Sequence, residues 1–343
     1  MDFIIVRIPS TSIYQVAKLA GVSPVTVSRV FSNTAPVAAA TRKRVLDMAQ
    51  QTGYQPNPLA AGLRGAKTNT IGMLWSLGGP HDSESMARRV TRRMQQLGYT
   101  TYLADQVEWK STHKALHDFA QRRVDGVVIQ DLTGVYNTFP QITRELAGFG
   151  AAVIVSAVPL DVPHDLIVQD RTMAMREAAR HLINTGRTRP IAVAPTDSDR
   201  LKIDAFLQPW TEQGIQVAQD RVINVHHEDG AVAVETLFKV MDAAFGDEVP
   251  FDAAWCSSDE EAVGLIDWLR SRGKRVPEDV AVVGFNDDPM SAYLWPRLAS
   301  VRRYDDQVVE QIEALLMQRL QQPALPPQRR YVEMKFVQRE SAG

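Results

Sequence analysis

The chain is 343 residues long, with 45% hydrophobic and 23% charged residues; at roughly 150 residues per domain that is room for two or three cores, and the balance excludes a disordered or fibrous chain. Its one cysteine, Cys256, excludes a disulfide framework and an all-cysteine metal site, and is expected to be a small buried hydrophobe in a reducing compartment. The net charge of −2 conceals an asymmetry: residues 1–67 carry eight basic side chains against two acidic ones, hence +6, so the remainder carries −8. A basic head on an acidic body suits a chain in which one segment meets phosphate and the rest must not.

At the start of the chain Asp2 precedes a short apolar run and Arg7 interrupts it, the wrong order and length for a secretory signal. No window reaches the ~18 uncharged apolar residues that span a bilayer, so the expectation is a cytoplasmic protein with no membrane partner. From Ser12 the head reads as short helices. Ser12 with Gln15 is a capping box, and Ile13, Val16, Ala17 and Ala20 recur at helical spacing, which predicts a helix over 13–20. Gly21 breaks it. Ser23-Pro24 restarts a second helix with a hydroxyl at its cap and proline at its first position, and Val27 and Val30 supply its apolar side. A third helix over 38–52 buries Val45, Met48 and Ala49 and stops at Gly53. Between Pro58 and Gly65 fewer than two helical turns fit, so that segment is marginal as a helix on its own and suited to folding on a partner.

Beyond Thr70 the period changes. Short apolar runs at 71–75, 100–104, 127–130 and 152–156 alternate with helical stretches at 83–97, 110–122 and 139–149. The alternation resumes with helices at 172–184, 201–213, 231–244 and 260–271 and strands at 191–194, 222–225, 253–256 and 280–285. A strand at 298–302, a helix at 306–320 and a strand at 331–336 complete the body. Strands spaced by helices mean parallel sheets. The predicted fold class is therefore α/β: a three-helix helix-turn-helix head, a hinge segment, and two doubly wound parallel units in series with a ligand cleft at the carboxyl ends of their strands.

Two short helices about the turn Ala20-Gly21-Val22-Ser23 can place the second one in a major groove. Its polar side offers Pro24, Val25, Thr26, Ser28 and Arg29. Arg29 can bind guanine with two hydrogen bonds and Val25 can touch a thymine methyl, while Ser23, Thr26 and Ser28 suit phosphates. An exposed Leu63 beside Arg64 is what a minor-groove wedge needs.

The run Ile13-Tyr14-Gln15-Val16-Ala17-Lys18-Leu19-Ala20-Gly21-Val22-Ser23-Pro24-Val25-Thr26-Val27-Ser28-Arg29-Val30 resembles the LacI/GalR family of bacterial transcriptional regulators, as do Gly53-Tyr54-Gln55-Pro56-Asn57, Ser258-Asp259, Gly284-Phe285-Asn286-Asp287 and the closing Arg339-Glu340-Ser341. The resemblance implies base reading by Pro24, Val25 and Arg29, although proline replaces the usual polar or aromatic choice at its position. It implies a hinge helix over 57–64 with Leu63 as its wedge, so the DNA-contact set is Ile13, Tyr14, Ser23, Pro24, Val25, Thr26, Ser28, Arg29, Asn57, Ala60, Leu63 and Arg64. It also implies a periplasmic-binding-protein-like core, with chain crossings near 157–162 and 285–289 and effector contacts from Ser76, Arg200 and Asp259. Ser156 and Arg303 match other polar pocket positions, and Asp82-Ser83 replaces an aromatic pair found in many relatives. The carboxylate and guanidinium of Asp259 and Arg200 can bracket adjacent hydroxyls, and Arg200 with Arg303 would favour an anionic ligand, so the expected effector is a sugar or sugar acid.

The implied organisation is a head over 1–55, a hinge over 56–68 and an effector-binding, dimerising core over 69–343, with one lobe from 69–157 and 290–343 and the other from 158–289. The implied partners are palindromic operator DNA, a small effector and a second copy of the chain. No cofactor and no metal are expected. His113 and His117 stand four apart but lack a third ligand, and 226–229 (His-His-Glu-Asp) sits at a turn. Gly78-Gly79 before Pro80 lacks the dinucleotide spacing. The alternatives left by the residues are a sugar-binding protein of the periplasm, opposed by the basic head, and an enzyme on a doubly wound scaffold.

Overall fold

The structure is a computed structural model and describes residues 11–32, 35–54, 67–75, 82–105, 109–131, 140–225 and 233–343. The chain divides between Asn69 and Thr70 into two compact units. The first holds α1 (Ile13–Ala20), α2 (Pro24–Ser32) and α3 (Ala39–Thr52). At the start of α1 the Ser12 hydroxyl accepts the Gln15 N–H while the Gln15 side chain accepts the Ser12 N–H, so two orphan donors are satisfied at once. Gly21, at φ 63°, closes α1 in the left-handed region, where a side chain would be strained. The Ser23 hydroxyl then accepts the Thr26 N–H at 3.1 Å and caps α2. Val16, Ala17, Ala20, Val27, Val30, Val45 and Ala49 form a small buried core, closed at one side by Phe31 meeting Tyr54 edge-on. Arg42 donates to the Val30 carbonyl, so one head cation is spent joining α3 to α2.

The second unit begins with β1 (Thr70–Trp75), α4 (Asp82–Gln96), β2 (Thr100–Asp105), α5 (Trp109–Gln121), β3 (Gly126–Asp131), α6 (Pro140–Leu146), β4 (Ala152–Ser156) and β5 (Asp165–Asp170). It continues with α7 (Thr172–Asn184), β6 (Pro190–Ala194), α8 (Thr196–Glu212), β7 (Val222–Asn224), α9 (Ala233–Phe245), β8 (Ala253–Cys256), α10 (Asp259–Ser271) and β9 (Ala281–Asn286). β10 (Ala299–Arg302), α11 (Asp305–Gln321), β11 (Arg329–Glu333) and β12 (Lys335–Val337) complete it. The strands form two six-stranded sheets, ordered β11-β5-β4-β3-β1-β2 and β12-β10-β9-β8-β6-β7. Neighbours run parallel except β10 and β12, which are antiparallel.

The inner strands of each sheet are covered on both sides, which is why they read as continuous apolar runs. In β1, Ile71, Met73 and Trp75 face the layer of α4 and α11, and Leu74 faces that of α5 and α6. In β8, Ala253 and Trp255 face one core and Ala254 and Cys256 the other. Cys256 is fully buried, and burial pushes its thiol well up, so it packs as the small hydrophobe expected of it. Gly72 is required by contact: a Cβ there would lie 2.6 Å from the Phe119 ring of α5.

The strand order corrects the expected lobe boundaries. Residues 165–170 belong to the first sheet, and 299–302 and 335–337 to the second. The chain passes between sheets at Arg171, at 303–304 and at Met334 rather than near 157–162 and 285–289. Of the closing strands only β11 returns to the first sheet, so the single strand expected over 331–336 is two strands of different sheets. β5 was absent from the sequence reading because it opens on a charge. Asp165 is nonetheless buried, holding the Arg319 guanidinium of α11 through two hydrogen bonds of 2.9 and 2.7 Å and accepting the Gln328 N–H. The fork keeps the ion pair's remaining lone pairs satisfied, the condition for burying it.

Candidate nucleic-acid face and ligand cleft

In the head, burying Val27 and Val30 of α2 turns Val25 and Arg29 outward; Val25 is half exposed, and Tyr14 of α1 is 72% exposed. Arg29 is exposed and makes no ion pair among the described residues. Pro24, Thr26 and Ser28 are half-buried, and the Ser23 and Thr26 hydroxyls lie 2.9 Å apart at the start of α2. Ser23 therefore serves first as the cap of the helix. Ile13 packs against the small core. Leu19, exposed at the end of α1, is a further apolar group on the head's surface that the sequence reading did not single out. Asn57, Ala60, Leu63 and Arg64 lie outside the described residues.

In the body, the carboxyl ends of the strands gather a polar cluster whose members differ in part from those expected. Asp259 opens α10 behind the N-cap Ser258, which forms a capping box with Glu261. The residue is only 3% exposed. Oδ2 accepts the Asp288 N–H (2.6 Å) and the Ser291 hydroxyl (2.8 Å), and Oδ1 accepts the Ser300 hydroxyl (2.6 Å). Burial pushes this carboxyl up to about 6 against the pull of those three donors. Asp259 thus ties α10 to the loop after β9 and to β10; in this structure it is an internal anchor, not an open ligand of the cleft.

Arg200 is likewise corrected. Its side chain is 71% exposed and pairs along the helix with Asp204. The reason is helix phase: α8 starts at Thr196, not near 201, and its inward positions are Asp199, Lys202, Ile203 and Phe206. Lys202 is the group that sequence reasoning missed. Its Nζ lies 2.6 Å from Asp199 Oδ2, with both side chains buried. It also sits 4.3 Å from the Phe285 ring centroid and 5.6 Å from that of Trp255. Desolvation lowers its pKa, and Asp199 opposes that shift. The signal available in sequence was the spacing Asp199, Lys202, Phe206, one side of a helix.

Ser156 closes β4 fully buried and accepts the Val158 N–H. Arg303 lies at the second crossing and pairs with Asp305 at 2.9 Å. Ser76 lies outside the described residues, and Asp82 opens α4 with its side chain likewise outside them. Near these strand ends the Trp75 and Trp255 Nε1 atoms and Gln130 Oε1 are buried without a hydrogen-bond partner among the described residues, and buried polar atoms of this kind call for one. A cation against an aromatic wall, with the unpartnered Trp255 N–H on one of its rings, can hold an anionic, hydroxylated molecule. His113 pairs with Glu145 and His117 with Gln121; the 226–229 run lies outside the described residues.

Residues 12–57 match the family model of bacterial regulatory proteins, lacI family, and residues 179–342 match that of the periplasmic binding protein-like domain. The HTH-type transcriptional regulator DegA of Bacillus subtilis (strain 168) is 29% identical over 300 residues, covering 85% of this chain and 86% of DegA. The ribose operon repressor of Escherichia coli (strain K12) is 26% identical over 340 residues, covering 95% and 98%. Among solved structures, the lac repressor dimer bound to operator and the anti-inducer ONPF superposes with a TM-score of 0.82 at 22% identity, covering 97% of this chain and 99% of that one. The transcriptional regulator CelR in complex with cellobiose gives a TM-score of 0.64 at 26% identity, covering 96% and 99%.

Proposed function

The chain belongs to the lacI family of bacterial regulatory proteins, and on that premise we propose that it is a homodimeric transcription repressor whose operator affinity is set by a small anionic carbohydrate held between the two lobes. The observation that carries this reading is the division of chemistry along the chain. The head exposes Tyr14, Val25 and Arg29 on the surface of a basic helix-turn-helix, and the body buries a cation, Lys202, at the carboxyl ends of its strands. In this reading residues 1–55 read the operator, 56–68 form the hinge, and 69–343 bind ligand and pair the protomers in the cytoplasm, where the DNA is.

Arg29 and Val25 enter the major groove with α2, and the first turn of α2 meets phosphate. A two-fold dimer repeats the contact on a palindromic site. The hinge residues Asn57, Ala60, Leu63 and Arg64 occupy the central minor groove, where Leu63 unstacks a base step and the bend restores the cost in added contacts. Ligand in the cleft favours one disposition of the lobes, and operator affinity shifts by the difference in ligand affinity between the two states.

The ligand's negative charge would take over the role of Asp199 beside Lys202, with Trp255 and Gln130 supplying hydrogen bonds to hydroxyls. The test has two arms. Selection of operators from a random library by the full chain should return a palindrome. Melting in the presence of neutral sugars, sugar acids and sugar phosphates should show the largest stabilisation with an anion. Stabilisation by neutral sugars alone would reject the anionic ligand while leaving the repressor reading intact.

A further inference from the structure

A cavity of about 880 Å³ opens beside the passages between the two sheets of the body, within the size range of small-molecule sites. Its walls come from two of the passages between the sheets, Tyr304 at the second and Met334 at the third, and from Met173 at the start of α7, just past the first. Neither Asp259 nor Lys202, nor any other residue considered above for the cleft, lines it.

Two carboxylates, Glu177 and Glu333, and two cations, Arg180 and Lys335, line the same space. None of the four takes part in an ion pair or side-chain hydrogen bond among the described residues. Both signs of charge are therefore available to a ligand. Met173 and Tyr331 bring apolar surface and are 58% and 59% exposed, unusual for side chains of this kind gathered in one place. β11 and β12 are the outer members of their sheets, so each keeps a row of backbone groups outside the ladder.

We propose that this cavity is a second ligand site, for a short peptide of two or three residues with free ends and an apolar side chain. The peptide's ammonium pairs with the Glu177 and Glu333 carboxylates, its carboxylate with Arg180 and Lys335, and its apolar side chain covers Met173 and Tyr331. Its amide groups can bond to the free edges of the outer strands, the mode by which extended peptides extend a sheet. Because the walls belong to segments on both sides of the crossings, the peptide binds one disposition of the lobes better than another and so biases the cleft; by linkage, a cleft ligand changes peptide affinity by the same factor.

The test uses the full chain, titrated calorimetrically with the tripeptide Ala-Phe-Ala, its N-acetylated form and its C-terminal amide. Saturable binding of the free tripeptide, weakened about tenfold or more by either blocking group, is expected. The pair Arg180→Glu and Lys335→Glu should weaken it at least as much, and Tyr331→Ala, on an exposed side chain, should do so with no change in melting temperature. Absence of saturable binding at millimolar peptide overturns the proposal, as does binding that survives both sets of substitutions or ignores the blocking groups. Neither arm requires operator or cleft ligand, so failure here is distinct from failure of the repressor reading.

Discussion

A single hydrogen-bond inventory separates Asp259 from Lys202, although both are buried charges at the ends of strands. Asp259 has three protein donors, whereas Lys202 has one carboxylate and two ring faces. Asp259→Ala strands the Asp288 N–H and two hydroxyls, and should cost about 2–4 kcal/mol of stability in urea unfolding. Its pH signature follows from a carboxyl raised from 3.8 to about 6. Between those values the folded chain binds a proton that the unfolded chain has released, so this group makes stability fall as pH rises through that window and level off above it. The melting temperature of the natural chain should therefore gain on that of Asp259→Asn when pH is lowered from 7 to 5, and equal spacing at both would contradict the assignment. In the head, Arg29→Ala should cost about 1–3 kcal/mol of operator binding and relax one base position in a selection experiment.

Elements were legible where an apolar period ran unbroken between clear stops. The capping box at Ser12, the stop at Gly21 and the restart at Ser23-Pro24 are local signals, and α1 and α2 follow them. Most body strands, buried on both sides, announced themselves as apolar runs. The exceptions share one cause, that a long-range partner made an unpromising stretch regular. β5 starts on Asp165, which the distant Arg319 and the Gln328 N–H make tolerable to bury, and β12 reads as a continuation of β11 until its pairing with β10 assigns it to the other sheet. The start of α8 mattered most, because a helix begun five residues early rotates Arg200 outward and Lys202 inward. Contact constrains elements too: Gly72→Ala would drive a methyl into the Phe119 ring and should destabilise the body by about 1–3 kcal/mol in thermal or urea unfolding, with operator contacts of the head unchanged.

At the scale of the molecule, the opposed charges of head and body and the division at Asn69 make a joint prediction about salt. Every core of the body draws its members from 70–343, so that segment expressed alone should fold, keep its ligand stabilisation and lose operator binding. The −8 carried beyond residue 67 leaves it no electrostatic attraction for DNA. In the full chain, operator affinity should fall linearly on a log–log plot against salt, each phosphate met by a cation contributing a slope of about −0.9. Arg42, spent on the Val30 carbonyl, and Lys43, paired with Asp47, should contribute less than the exposed Lys18. Lys18→Ala should therefore flatten the slope by about 1 per protomer without changing the selected sequence, as anisotropy titrations across a salt series would measure. Operator binding retained by 70–343, or a slope that ignores Lys18, would move DNA recognition away from the head.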